Sequence, residues 1–514
     1  MELMRCWQRG GIKLRGPKRG RRPWQWRRFG EGHTTKVYIQ EAERTRTYKK
    51  TELSLVDLLC EPAQKILSKV DPSRIDGVFV SVQNISSFTG EGNIATKVAD
   101  RLGLHGAEAE RVETASNGHT ALLRAFDAVA SGRCKRVLAI GGEKMSAVER
   151  NHRARIIGEV IDPIDRACGL TMPSAIALIS LEYARVNGVS PADLKALLER
   201  IAIRAYGYAA ANPNAQFTGK TVTAEEYRDP LRNPTVATPL HVFDSCPTSD
   251  AAGAILVTSK ETDIEISGVG HAVDGSRIFG RYYIDHLEAT RWAARKAYRQ
   301  AGILRPRELK GLILEQHDAF GPLFLMNLVD LGIYTHDEAV EAIEKGALEK
   351  DGEIPTNISG GLKDLHALGG TGLIKIIEAC HQLRGQAPKE LQVKKPRVAI
   401  CHSIGGPGNN IAVTILEKVG NRRYRHHFRR WQPEPLPHNN EPHKPVLAEG
   451  ILEVSTTVHP QVGSPEGAYV VAVVNCGGKR ILAAPAHEKV ERAWGDEVKI
   501  STVQTGAFNR YVYE

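Results

Sequence analysis

The sequence predicts an α/β fold: two strand–helix units in tandem, followed by a small C-terminal β-barrel. Three observations carry that expectation. Short β-branched runs alternate with helical patterns between residues 35 and 419, as in buried, largely parallel sheets. That stretch is too long for one such unit and suits two. Beyond residue 444 the apolar period becomes that of strands, and so few strands avoid exposed edges best by closing on themselves.

The chain divides into five parts. Residues 1–34 hold ten Lys and Arg against two Glu, most of the chain's net charge of +10; with no apolar period they read as a disordered basic leader. Residues 35–268 form a first α/β half. Its strand candidates Gly77–Ser81 and Arg136–Ile140 bracket helical patterns at Ile94–Leu102 and Thr120–Ala130. Residues 269–419 form a second half, in which Gly311–Glu315 leads into Pro322–Leu331 and Val398–Cys401 into a glycine-rich turn. Residues 420–443 are a linker with a basic run and then Pro433, Pro435, Pro437 and Pro442, a density that stops helices. Residues 444–514 supply strands at Tyr469–Asn475, Arg480–Ala484, Glu497–Ser501 and Arg510–Tyr513.

Composition excludes several classes. Outside the two basic segments the chain is nearly neutral, so no nucleic-acid-binding body is expected. Eight scattered cysteines form no CxxC pair, which argues against a zinc ribbon, a thioredoxin-type site, a disulfide framework or any metal centre. There is no apolar run of about 18 residues and no apolar signal region, so a cytoplasmic protein without a transmembrane segment is expected.

Four segments place polar groups at strand–turn–helix junctions, where open parallel sheets bind ligands. The first, Val112–Leu122, passes through Ser116-Asn117-Gly118 into a helix; Ser116 stands at the positive end of that helix or simply caps it. The second is Glu315-Gln-His-Asp-Ala-Phe320. The third is Asn357–Gly372, in which His366 lies between the glycine pairs Gly360-Gly361 and Gly369-Gly370. The fourth is Cys401–Gly408, a strand entering a glycine-rich loop through His402, Ser403, Gly405 and Gly406. It lacks the phosphate-loop signature.

Together these segments resemble the thiolase superfamily, in the branch of archaeal and sterol-carrier-type thiolases. Arg111–Leu122 is similar to the family's nucleophile segment RVExACASGxxAL, and Gly141–Met145 to its GxEKM. Phe243–Ala252 is similar to DCCPxxDGAAA, His317–Phe320 to HDAF or HDCF, and Asn357–Gly372 to NxSGGLxxxGHPxGATG. The resemblance covers residues 35–418. It implies a five-layered αβαβα core of two similar halves, a homodimer or higher oligomer, and reversible thiolysis or Claisen condensation of 3-ketoacyl-CoA. Coenzyme A is then substrate or product, and no cofactor stays permanently bound.

The sequence departs from that pattern where the family places its chemistry. The nucleophile segment is one residue short and has no cysteine; Ser116 or Ala115 takes the position, depending on the anchor. Ser403 and Ala319 stand where the family's two branches place a second cysteine, with Cys401 and His402 nearby as alternative acid/base groups. The resemblance implies that Ser116, His317, His366 and Ser403 do the chemistry. Asn357, Gly360, Gly361, Gly405 and Gly406 would shape the oxyanion and substrate site. Glu449–His459, Gly467–Val474 and Lys479–Ala483 resemble the OB-fold of acyl-CoA-associated partner proteins, here fused and without a zinc ribbon. The expectation is an acyltransferase acting on acyl-CoA or 3-ketoacyl-CoA thioesters without the usual nucleophilic cysteine. The alternative is a non-catalytic acyl-CoA-binding or scaffolding subunit beside another thiolase-type or synthase chain.

Overall fold

Strands form in the first half wherever β-branched runs meet a buried sheet, and in the second half by the same rule. In the computed structural model they are β1 (Tyr38–Arg44), β2 (Gly77–Ser81), β3 (Glu108–Val112), β4 (Arg136–Lys144), β5 (Thr235–Ala237), β6 (Leu240–His241), β7 (Asp250–Thr258), β8 (Ile264–Val273), β9 (Leu312–Glu315), β10 (Val398–Gly405) and β11 (Asn410–Lys418). The helices that matter here are α1 (Leu55–Leu67), α2 (Ile94–Arg101), α3 (Asn117–Ala130), α4 (Met172–Val186), α5 (Pro191–Ala211), α6 (Glu288–Ala301), α7 (Gly321–Asp330) and α8 (Leu368–Arg384). The structure describes residues 35–420, 449–458, 469–476, 479–485, 497–505 and 508–513. The basic leader and the linker beyond residue 420 lie outside the described residues.

Nine strands pair in the order β3-β2-β4-β7-β1-β8-β11-β10-β9. The two halves meet along a narrow seam, Tyr38↔Glu265 and Ile39↔Ile264. The sequence predicts largely parallel sheets, but only β2–β3, β2–β4 and β9–β10 run parallel in this sheet. The pairs β4–β7, β10–β11 and β8–β11 are antiparallel. For β10–β11 the reason is local: the turn between Gly405 and Asn410 is too short for a parallel crossover.

Three apolar clusters define the layers. One joins α1 and α2 to the outer faces of β2 and β4, through Leu58, Leu59, Val98, Val78, Val80, Leu138 and Ile140. The middle cluster joins the inner faces of both halves to α3 and α8, through Phe79, Val137, Leu122, Leu373, Ile377, Ile313 and Ala399. The third joins α6 to the far face of β9, β10 and β11, through Ala293, Ala297, Leu314, Ile400 and Val413. Alternation of side chains across each strand feeds two layers at once. The result is helices, sheet, helices, sheet, helices.

The two central helices touch near their N-termini because glycine lines the contact. A Cβ at Gly118 would sit 2.9 Å from the Gly369 carbonyl oxygen, and one at Gly141 would sit 2.7 Å from the same atom. Two positive helix ends therefore converge beyond the C-terminal ends of β3, β9 and β10.

At the C-terminus, β12 (Glu449–Val458), β13 (Tyr469–Cys476), β14 (Lys479–Pro485), β15 (Glu497–Thr505) and β16 (Phe508–Tyr513) pair in the order β13-β14-β16-β15-β12. Strand β12 also pairs with β13, which closes the ring. Pair β14–β16 is parallel and the others are antiparallel. The expected hairpin is β13–β14; its turn lies outside the described residues. The barrel rests on the core: Val458 pairs with Ala237 of β5, and Val471 and Val473 share an apolar cluster with Ile176 of α4 and Leu240.

Candidate active site

Ser116 occupies the N-cap position of α3 without capping it, since no helix N–H reaches its side chain. Its buried hydroxyl donates instead to Asn410 Oδ1 at 2.5 Å. His271 Nε2 approaches the same oxygen at 3.1 Å. Asn410 stands on β11 directly across from Gly405. Ala115 packs on that glycine, where any Cβ would come within 2.2 Å of the Ala115 carbonyl carbon. The two residues that compete for one sequence position thus face different neighbours. One turn into α3, His119 Nε2 meets Thr414 Oγ1 at 2.7 Å.

His317 follows β9 by two residues, on a bed of main-chain hydrogen bonds. Asn357, at φ 51°, accepts from the Gln316 N–H at 2.7 Å and donates to its carbonyl at 3.0 Å. Asn327 Nδ2 donates to the His317 carbonyl at 2.7 Å. The Asn357 carboxamide, expected at the oxyanion site, is therefore engaged in holding the His317 segment. His366 lies just before α8. Its N–H donates to Ser249 Oγ at 3.0 Å, and its ring Nδ1 meets Thr371 Oγ1 at 3.3 Å. The two imidazoles stand edge to face, with centroids 5.5 Å apart at 79°.

Gly360 and Gly361 take φ of 102° and 57°, a region that favours glycine. A Cβ at Gly360 would meet Ala209 of α5, and one at Gly361 the Asp318 carboxylate. Beneath them lies a buried ion pair, Lys375–Glu315 at 2.6 Å, bridged by Ser359. Arg44 meets Asp364 at 2.6 Å and also pairs with Glu378. These contacts tie the Asn357–His366 loop to β1, β9 and α8. Gly406, at φ 56°, opens the turn into β11.

Cys401, His402 and Ser403 alternate across β10. Cys401 faces the middle apolar layer, where burial pushes its thiol well above the ordinary range. Ser403 shares that face; a Cβ at Gly372 would lie 2.8 Å from both its Oγ and His119 Cβ. His402 points the other way, to Thr290 Oγ1 on α6 at 3.3 Å. Cys401 and His402, the alternative acid/base groups, thus face different layers by the strand's own period.

Burial holds the imidazoles neutral. It pushes His119 down to about 3, with His402 and His271 adding repulsion. It pushes His366 to about 4 and His402 to about 3. His317 falls well below its ordinary value through burial first, then through His366, His402 and Lys375. Neutral imidazoles facing each other can donate N–H bonds to an oxygen that is gaining charge.

Sequence spacing alone misses His119, His271, Asn410, Thr290 and Asn327, which no motif flags. Cys246 was legible only as part of its motif. The fold sets it across from Ala319, its N–H donating to the Ala319 carbonyl at 2.8 Å, and burial raises its thiol to about 12. A separate groove of about 970 Å³ runs along α5 past Lys195, Arg200, Gly207 and Tyr208 and touches none of the candidates above.

Residues 37–261 match the thiolase N-terminal domain, and residues 270–418 the thiolase C-terminal domain-like family. The acetyl-CoA acetyltransferase of Methanothermobacter thermautotrophicus is 31% identical over 404 residues, spanning 74% of this chain and 99% of that protein. The chain belongs to the thiolase family. Two solved structures share its fold. A monomeric SCP2-thiolase-like protein type 1 from Mycobacterium smegmatis superposes with a TM-score of 0.69 at 17% identity, covering 94% of this chain and 100% of that one. The Ltp2-ChsH2(DUF35) aldolase gives 0.63 at 22% identity over 76% of this chain and 99% of that one. The layered core is thus the thiolase fold. Among the described residues, no helix is long and apolar enough to cross a membrane.

Proposed function

We propose that this thiolase-family chain makes or breaks a carbon–carbon bond beside a CoA thioester, with no acyl-enzyme on Ser116. His317 and His366 hold the thioester oxygen as the neighbouring carbon gains electrons. The observation that carries the reading is the neutral, edge-to-face histidine pair 5.5 Å apart on a bed of hydrogen bonds. Preorganised donors of this kind stabilise an enolate without reorganising at the moment of reaction.

Ser116 sets the covalent question. A serine nucleophile needs a base to take its proton, and here that proton points at an amide oxygen. The thiolase cysteine is, on this reading, lost, and the acyl-transfer half of the family reaction is lost with it. Bond cleavage then leaves the Cα–Cβ electron pair on the thioester oxygen as an enolate, while the departing carbon leaves as a carbonyl. The proton released from the β-oxygen returns to Cα.

Two names among the related proteins favour thioester chemistry of this kind: one is an acetyl-CoA acetyltransferase and one an aldolase built with a DUF35 partner. We read the C-terminal barrel as an OB-type acyl-CoA-associated module fused in place of such a partner. What supports this is its closed strand order, with one parallel pair. Acyl-CoA thioesters are the expected ligands.

The test is intact-protein mass spectrometry with a panel of acyl-, 3-hydroxyacyl- and 3-ketoacyl-CoA thioesters, with products followed by chromatography. Carbon–carbon cleavage or condensation with no protein adduct is expected. A stable acyl adduct on Ser116 would restore the acyl-transfer mechanism. Binding without any product would make the chain an acyl-CoA-binding subunit.

A further inference from the structure

We infer that Arg204 of α5 is a positioning residue for His317: it grips the strand-like segment that carries Asn357, and so sets the imidazole that faces His366. The inference rests on the proposed thioester chemistry and adds to it a residue that acts through others and not on the reacting atoms.

The path starts at the edge of the sheet. Strand β9 is the last of the nine, so its outer edge needs partners for its peptide groups. Residues 355–357 supply them. The Leu314 N–H donates to the Pro355 carbonyl at 2.9 Å, and the Asn357 N–H donates to the Leu314 carbonyl at 2.8 Å. Two residues beyond Leu314, the Asn357 side chain repeats the grip on Gln316, accepting from its N–H and donating to its carbonyl. One bond of each kind fixes which end of the carboxamide faces which group. Peptide groups alternate along such a segment, so the Thr356 carbonyl turns away from β9.

Arg204 holds that outward carbonyl. Its Nη2 donates to the Thr356 carbonyl and to the Leu348 carbonyl, each at 2.6 Å, and its Nε donates to Glu349 at 2.8 Å. The Thr356 N–H donates to the same Leu348 carbonyl at 3.0 Å. The guanidinium also lies over the Tyr208 ring at 4.9 Å and over the Phe324 ring of α7 at 5.2 Å. The Phe324 carbonyl in turn accepts from the Gln316 side chain at 3.0 Å. Arg204 thus braces Gln316-His317 from two flanks, through Thr356–Asn357 and through α7. A planar, permanently charged fork serves two carbonyls, a carboxylate and two ring faces at once, which an ammonium does not. The grip matters because Asn357 sits at φ 51°, a backbone region that persists only where the surroundings enforce it.

The experiment reads two quantities on the full chain. One is steady-state turnover of 3-hydroxybutyryl-CoA and acetoacetyl-CoA. The other is the His317 ring signal in nitrogen–proton spectra of histidine-labelled protein, assigned from the signal lost in His317→Asn. Arg204 lines the groove along α5, so water can take up the freed carbonyls and Arg204→Met should fold. That variant should lower kcat about tenfold, as a small misplacement of a catalytic group does, with KM within about twofold, and should shift the His317 signal. Arg204→Lys should recover part of both. Asn357→Ala should reproduce the change, and the double variant should lose no more than Asn357→Ala alone, because both act along one path. Leu194→Ala truncates the buried face of the same helix; it should lower the melting temperature and leave kcat and the His317 signal unchanged. An unmoved His317 signal in folded Arg204→Met, additive losses in the double variant, or the same shift in Leu194→Ala overturns the inference. If Arg204→Met does not fold, Arg204→Lys carries the same comparison. A wild type that converts neither ester tells against the proposed reaction, and the His317 signal then decides the inference alone.

Discussion

The junction into α3 and the junction into α8 are built differently and carry different chemistry. The first runs from the end of β3 straight into its helix, the second from the Asn357–His366 loop, and glycines let the two helix ends touch. At α8 the loop retains His366, faced by His317 and set by Asn357, Asn327 and Thr371. At α3 the loop offers Ala115 and Ser116, and the serine turns to Asn410. The backbone packing that makes the fold is thus independent of the side chains that make the reaction. A helix-to-helix glycine contact survives when the group beside it changes.

That contrast can be tested from either side. The largest effect is expected at the α8 junction. His366→Ala or His317→Ala should lower turnover by about 10²–10³, the cost of one oxyanion donor, with the melting transition nearly unchanged. Retained turnover in either variant would mean that the pair is structural.

Acid should act on the same histidines through stability. His119, His366 and His402 titrate at about 3, 4 and 3 in the folded chain, against an ordinary 6.5. Between those values the unfolded chain binds protons that the folded chain refuses. Stability is therefore full above pH 6.5 and falls as pH drops, by up to about 1.4 kcal/mol per unit for each histidine. His286 has the opposite sign. Burial lowers it, but Asp285 and Glu288 outweigh burial and raise it to about 9, so its contribution fades as pH rises through that value. Urea midpoints should peak near pH 6.5 and decline from there towards pH 9. A flat profile down to pH 4.5 would show that the imidazoles are solvated.

Next in size is Gly405→Ala. The added methyl meets Ala115 and the Ser116 nitrogen within 2.6 Å, and overpacking of this kind costs about 1–3 kcal/mol. It should lower the melting temperature while leaving the His317–His366 side intact. The smallest effect is expected for Thr371→Val, which removes one hydrogen bond to His366, worth about 1 kcal/mol. Turnover should fall about fivefold, and Thr371→Ser should recover most of it.

Much of this protein was legible in one dimension. The alternation of β-branched runs with helical patterns announced an α/β core, and the motif order from Arg111 to Gly372 gave its family. His317 and His366 could be named because each lies inside a motif. The change of period after residue 444 announced the barrel strands. These features are local: strand period, glycine at turns and helix starts follow from neighbours along the chain.

Other features were settled only in three dimensions. Asn410 and Ser116 are 294 residues apart, and no spacing rule links them. The sequence left open whether Ser116 caps α3; the fold turned it to β11 instead. Cys401 and His402 stood as alternative acid/base groups on opposite faces of β10, and only the packing decided which layer each one meets. The parallel sheet expected from strand–helix alternation became mixed, because the short turn from β10 to β11 forces an antiparallel return. The sequence by itself determined which elements form and which side chains are chemically able. Only the tertiary structure decided which of them meet, because burial and long-range hydrogen bonds are fixed when the layers pack.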